Sequence, residues 1–407
     1  MQRLLVPDLA RGTALLGIAL ANGSLFWMIN QHSQPESGPG WSVGGVQEGS
    51  LIDAALALFA ALFVHSRGLP MFATLLGFGF GLVVSSLYRK QYPVGEARKV
   101  LARRYGALAL FGLAHLCLLF FGDIMTMYGF VGLLLSVMFT LSTKVLRIIS
   151  YSCLGLYILF TSFVGVSAAL IPEVAKEMGG NNVLNEEFGS FGTYFTNNLA
   201  NAAEMLLSTP FILLELVPLA TIGYVWAKEG VLVNTKQHAR TLWTWTILAG
   251  VIMLAIGLPW GLTAIGVLNP EMESSLHLLN SAIGCLTGPG ILAALTLLTS
   301  RLNNAAPTWT YPLVALGKRS MSGYLAQTIF FILLVYPFSL GIGQDWTISG
   351  KLGLSACVWL ATVVLATVLE AAGKQGPFEW AHRHVSYGKA GRLSLIHISE
   401  PTRLRRI

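Results

Sequence analysis

Residues 105–141 read YGALALFGLAHLCLLFFGDIMTMYGFVGLLLSVMFTL. Two apolar runs, 105–121 and 124–141, flank Gly122 and Asp123, and each approaches the roughly 20 apolar residues that a membrane-crossing helix needs. The pattern describes a helical hairpin in lipid with its turn at the Gly-Asp pair. Working outward, comparable runs occupy 13–30, 69–88, 147–171, 201–227, 241–266, 278–299, 320–343 and 351–372. One further apolar stretch, 51–64, has 14 residues and ends in His65-Ser66-Arg67-Gly68. Its length suits a re-entrant or interfacial segment.

Composition agrees. Of 407 residues, 54% are hydrophobic and 11% charged, against about 25% charged in soluble domains. So few charges cannot coat a water-facing surface. The expected fold is all-α: one polytopic membrane domain, residues 1–392, with about ten transmembrane helices and one short re-entrant or interfacial helix. A cytosolic enzyme, a disordered hub and a secreted disulfide scaffold are excluded. Cys117, Cys153, Cys285 and Cys357 are far apart in apolar runs and read as small packing residues. Arg3, Arg11 and Ala19-Leu20-Ala21 imitate a signal peptide, but the apolar run continues, so an uncleaved first span is expected. Residues 393–407 (LSLIHISEPTRLRRI) read as a non-native tail; setting them aside lowers the net charge from +7 to +5.

The charges sort by side. If 51–64 does not cross, ten spans leave both termini inside, with 20 Lys and Arg on that side and Arg67, Lys176 and Lys351 outside. The outer loops are acidic: Glu36, Glu48 and Asp53; Glu173, Glu177, Glu186 and Glu187; Glu271 and Glu273; Asp345. That is the positive-inside pattern of a multi-pass membrane protein. The positive charge therefore reports topology rather than nucleic-acid binding. No metal-ligand spacing occurs.

Ionisable groups in the apolar slab cost roughly 2.5–3.5 kcal/mol on insertion scales, so each needs a partner or a role. His115 sits within the third span and Asp123 eight residues on, about 12 Å along a continuous helix. At that separation the two would need water or an intermediary. His115 reads either as a general base beside a water-filled cleft or as a histidine bonded across a helix interface. Asp8 and Arg11 form an i, i+3 pair at the start of the first span, suited to anchoring or to a phosphate-bearing cofactor. Glu204 and Glu215 share the sixth span with Pro210 and Pro218. Glu215 reads as a proton relay or as a neutral structural carboxyl. Gly77, Gly79 and Gly81 favour close helix packing over phosphate binding, because no Walker lysine accompanies them.

Five segments together resemble the YeiB-like bacterial membrane proteins, the domain-of-unknown-function family 418. They are DLARGTALLGI (8–18), FATLLGFGFG (72–81), GLAHLCLLFFGDIMTMYGFVG (112–132), LGKRSMSGYLAQT (316–328) and GPFEWAHR (376–383), with the family's carboxy-terminal segment at about 230–390. The family usually has Thr-Asn before the tyrosine of the ninth span; this chain has Ser322-Gly323 before Tyr324. The Asp-x-x-Arg-Gly start is also similar to the wider membrane acyltransferase superfamily. That resemblance implies transfer of an acyl group from cytoplasmic acyl-CoA, the implied co-substrate, to a lipid or envelope glycan. It implies His115 and Asp123 in the chemistry, with Asp8, Arg11 and Arg383 at the nucleotide. Tyr128, Tyr324, Gln327, Glu379 and Glu215 are then substrate-facing or structural polar groups. Secondary transport of a small metabolite and a non-catalytic envelope-assembly role are the competing expectations.

Overall fold

A computed structural model describes residues 5–171, 184, 187–300 and 307–387. The expected tail and Glu173, Lys176, Glu177 and Glu186 lie outside them. The described residues form an all-helical bundle. Its helices are α1 (Leu5–Asn22), α2 (Leu51–Phe59), α3 (Gly68–Arg89), α4 (Val94–Leu118), α5 (Met125–Met138), α6 (Thr143–Leu170), α7 (Phe191–Leu207) and α8 (Thr209–Glu229). They continue as α9 (Ala239–Ile252), α10 (Leu258–Ala264), α11 (Glu273–Gly284), α12 (Thr287–Ser300), α13 (Thr310–Lys318), α14 (Ser320–Val335), α15 (Ile348–Ala371) and α16 (Pro377–Tyr387).

By length and composition, six of the described helical runs can cross a bilayer, or seven if Pro270–Gly284 and Thr287–Ser300, bent by 58°, make one crossing. The bundle is therefore a multi-pass membrane protein. Leu156, Leu159 and Phe163 on α6 and Val364 and Val368 on α15 stand exposed, as a lipid-facing surface requires.

Helix boundaries depart from the hydropathy runs where local chemistry intervenes. The run 201–227 is broken at Ser208, where Pro210 opens a new helix; Glu204 falls on exposed α7 and Glu215 on α8. The run 320–343 stops at Val335, ahead of Pro337. α4 begins eleven residues before its apolar part, after Pro93. α2 continues through a π-helical turn, Ala60–Val64, towards α3. Together Leu51–Arg89 is a 39-residue run, interrupted at His65–Arg67, where His65 is extended and Ser66 has a φ of 59°.

Without a hydrophobic force between helices in lipid, association rests on close packing, and small residues allow it. α3 lies on α8 in this way. A Cβ on Gly77 would sit 1.7 Å from the Ala220 carbonyl oxygen, and one on Gly223 1.9 Å from that of Thr74. In the α4–α5 hairpin, a Cβ on Gly112 would meet the Thr126 amide at 2.1 Å. Gly77 and Gly81 are packing residues, as expected, whereas Gly79 opens towards Arg11. Gly77→Val should cost about 3 kcal/mol or more by separating two backbones. Gly155→Val, whose Cβ would meet nothing within 4 Å, should melt like the parent in detergent.

Candidate functional site

α4 ends at Leu118, and the amides of Leu119 and Phe120 both donate to the His115 carbonyl. The chain then turns back before α5. This corrects the continuous-helix expectation: the fold-back carries Asp123 onto His115, so no intermediary is needed. His115 Nδ1 and Asp123 Oδ1 are 2.8 Å apart, and His115 Nε2 lies 3.0 Å from the Thr328 hydroxyl on α14. The other Asp123 oxygen accepts from the Thr126 amide (2.7 Å) and hydroxyl (2.8 Å). His115 and Asp123 are 3% and 0% exposed. Every polar atom of the pair is thus engaged, and the network joins α4, the 119–124 turn, α5 and α14. A carboxylate, an imidazole and a hydroxyl in series is an arrangement able to relay a proton. Trp27 packs beside the turn, stacked 4.3 Å from Phe120 and 5.4 Å from Phe331.

Next to this network lies a cavity of about 1270 Å³. Its walls are apolar where Leu15, Phe72, Leu76, Leu108, Ile124 and Met125 line it. Arg11, Arg89, Lys90, Arg104, Lys318 and Arg383 add six basic side chains, three of them (Arg89, Lys90 and Lys318) at or beside helix ends. Asp8 and Glu379 are the acidic lining residues. Tyr324 and Tyr128 line the cavity too, while His115 and Asp123 are not among its lining residues. The Tyr324 ring stands 5.4 Å from the His115 ring and so separates the histidine from the cavity.

The sequence-predicted residues divide accordingly. Asp8, Arg11, Arg383, Tyr128, Tyr324 and Glu379 meet at the cavity. Arg11 donates to Asp8 at 3.2 Å, and the Tyr128 hydroxyl to the Leu69 carbonyl at 3.0 Å. Gln327 is buried and donates to the Leu15 carbonyl at 3.3 Å. Glu215 lies apart, accepting from the Tyr157 hydroxyl at 3.1 Å. Glu379 has a plain structural role as well: one of its oxygens accepts from the amides of Met321 (2.8 Å) and Ser322 (3.1 Å), the otherwise unbonded donors at the start of α14, and the other takes the Ser322 hydroxyl. Ser322 thereby has a partner of its own in this chain.

Arg89, Lys90, Arg104, Lys318 and Tyr105 were not singled out from the sequence. For the four basic residues the signal was membership of the basic inner loops; Tyr105 merely opens the 105–121 apolar run. Arg104 is held by the Tyr387 hydroxyl at 2.8 Å and lies 5.8 Å from the rings of Tyr105 and Tyr387. His382 on α16 donates from Nε2 to the Arg104 carbonyl at 2.9 Å. Among the described residues, no three His, Cys, Asp or Glu side chains gather as a metal site.

Fold and site together define a multi-pass helical membrane protein with an amphiphilic, basic-rimmed cavity. Residues 226–389 match the family described as Protein of unknown function (DUF418). Over nearly its whole length the chain is similar to two bacterial relatives. It is 25% identical to uncharacterized protein YxaH of Bacillus subtilis (strain 168), across 95% of this chain and 94% of the relative. It is 24% identical to uncharacterized protein YeiB of Escherichia coli (strain K12), across 96% and 98%.

Two outcomes follow from the site. Asp123→Ala strands the His115 Nδ1 and the Thr126 amide in a buried place, so it should destabilise by about 2–4 kcal/mol, measured by thermal unfolding in detergent; Thr328→Val should cost less. Burial first, then the charges of Arg104 and Arg383, hold the His382 imidazole at about 4 against an ordinary 6.5. The folded chain keeps it neutral, while an unfolded chain takes up a proton below about 6.5. Stability should therefore fall as pH drops from about 6.5 to about 4, with no such change above, and His382→Gln should lose that part of the slope.

Proposed function

We propose that the protein binds an amphiphilic phosphate ester of the acyl-CoA class from its basic side, and passes the acyl group to a lipid or envelope glycan. The carrying observation is the pairing, in one cavity, of six Lys and Arg side chains with an apolar wall. Arginine suits phosphate through its planar, multi-donor fork, and a fatty acyl chain suits Leu15, Phe72, Leu76 and Leu108. His115, oriented by Asp123, is the base of this reading; because Tyr324 stands between it and the cavity, a shift of that ring would precede proton transfer. The reading includes ten crossings in the bacterial cytoplasmic membrane, both termini inside. Its support is that the cavity's basic side chains come from segments assigned to the inner side by the charge pattern.

A transporter reading has one observation of its own. Glu215 lies within α8, one turn before the in-helix Pro218, with the Tyr157 hydroxyl donating to it. Uptake into proteoliposomes that follows a proton gradient and fails in Glu215→Gln would favour that reading.

The test of the first reading is titration of full-length protein in nanodiscs with palmitoyl-CoA, CoA and palmitate. Palmitoyl-CoA should bind more tightly than either fragment, and Arg11→Gln with Arg383→Gln should weaken it about tenfold or more. Equal binding of palmitate and palmitoyl-CoA, or an unchanged double variant, removes the phosphate role. With labelled acyl-CoA and envelope extract, transfer that survives His115→Gln removes the base.

A further inference from the structure

A second polar cluster lies where α2 meets α3, against α10 and α11, away from the cavity residues. Arg67 is 2% exposed. Its Nε donates to the Leu62 carbonyl at 3.0 Å, and its Nη2 to the Ala61 carbonyl at 3.3 Å and Asn280 Oδ1 at 2.7 Å. Its Nη1 makes no well-formed hydrogen bond, and neither do the ring nitrogens of His65, which sits beside the Val43 backbone, Nδ1 of His277 or the Asn280 amide nitrogen. His65 is also 2% exposed and Asn280 fully buried. The two imidazoles flank one indole: His65 and His277 lie 5.4 Å and 5.1 Å from Trp260.

Among the described residues the charge has no counterpart. Among the described residues no carboxylate lies within ion-pairing distance of Arg67. The acid on the same stripe of α11, Glu273, spends its oxygens on the Gly40 and Ser42 amides (2.9 and 3.0 Å) and the Ser42 hydroxyl (2.5 Å). Buried Lys351 offers a contrast. It donates to Asn30 and Ser33 at 3.1 and 2.7 Å, and an amine can shed its proton, whereas a guanidinium cannot. Glycines admit the guanidinium: a Cβ on Gly284 would lie 2.5 Å from Arg67 Nη1, and one on Gly257 3.1 Å from Nη2. An unpaired buried charge costs several kcal/mol, and buried donors without acceptors are rare.

We propose that Arg67, His65, Asn280 and His277 form a binding site for a small monovalent anion, a halide or a carboxylate, which neutralises the guanidinium and takes up the unused donors. The proposal is independent of the acyl-CoA reading, since none of these residues lines the large cavity.

Thermal unfolding of the full chain in nanodiscs, at constant ionic strength in sodium chloride, bromide, acetate or gluconate, tests it. Gluconate is too large for such a site and serves as the reference. Chloride and bromide should raise the melting temperature by about 3 °C or more, saturably with concentration. If acetate does so instead, the anion class stands and the site belongs to carboxylates. His65→Phe keeps the ring on Trp260 but removes both nitrogens, and Asn280→Leu removes the amide; each should weaken the half-saturating anion concentration about tenfold. Arg11→Gln, in the large cavity, should leave the shift intact. A melting temperature equal in all four salts overturns the proposal, as does a shift that survives both His65→Phe and Asn280→Leu or disappears in Arg11→Gln.

Discussion

Inside an apolar bundle, a polar side chain has only other protein groups to satisfy it, and this constraint organises the whole molecule. His115 is the clearest case. Its ring is placed where neither water nor lipid can serve it, so α4 must stop and the chain must fold back to deliver Asp123. The same carboxylate then holds the first turn of α5, and the imidazole reaches Thr328 on α14. A single buried network thereby fixes the α4–α5 hairpin and sets Tyr324 and Ile124 against the large cavity. Glu379 applies the same logic at the opposite end of α14 by taking up that helix's free amides.

The helical, multi-pass character of the chain was legible because it follows from a scarcity of charge, which no local accident can reverse. Boundaries were less legible. Hydropathy cannot see that Pro210 restarts a helix or that Pro337 follows a finished one, since both lie in apolar runs. The His115–Asp123 contact was hidden for a related reason. Spacing along an ideal helix puts the two about 12 Å apart, and only the break after Leu118 brings them together. The cavity was half legible: Arg11, Arg383 and Tyr324 stand in recognisable segments, whereas Arg89, Lys90, Arg104 and Lys318 look like ordinary topology signals until the helices converge. The sequence marked Arg67 only as one of three basic residues on the outer side, because its burial among α10 and α11 depends on the packing.

The two polar regions differ in kind. Around His115 the donors and acceptors balance within the protein, which makes that network rigid and leaves the neighbouring cavity to supply binding. Around Arg67 they do not balance. The basic cavity, in turn, combines charge and apolar wall at a scale suited to a ligand with an acyl chain, and the acyl-CoA reading rests on that combination rather than on the histidine alone.

That combination presupposes that the cavity opens on the side where Lys and Arg gather. Single cysteines at Ser85 and Ser320, both lining residues, placed in a chain whose four native cysteines are replaced, can be probed with a membrane-impermeant maleimide in oriented vesicles. The account predicts labelling from the cytoplasmic face only. Labelling solely from the opposite face, or from neither face in folded protein, would contradict it.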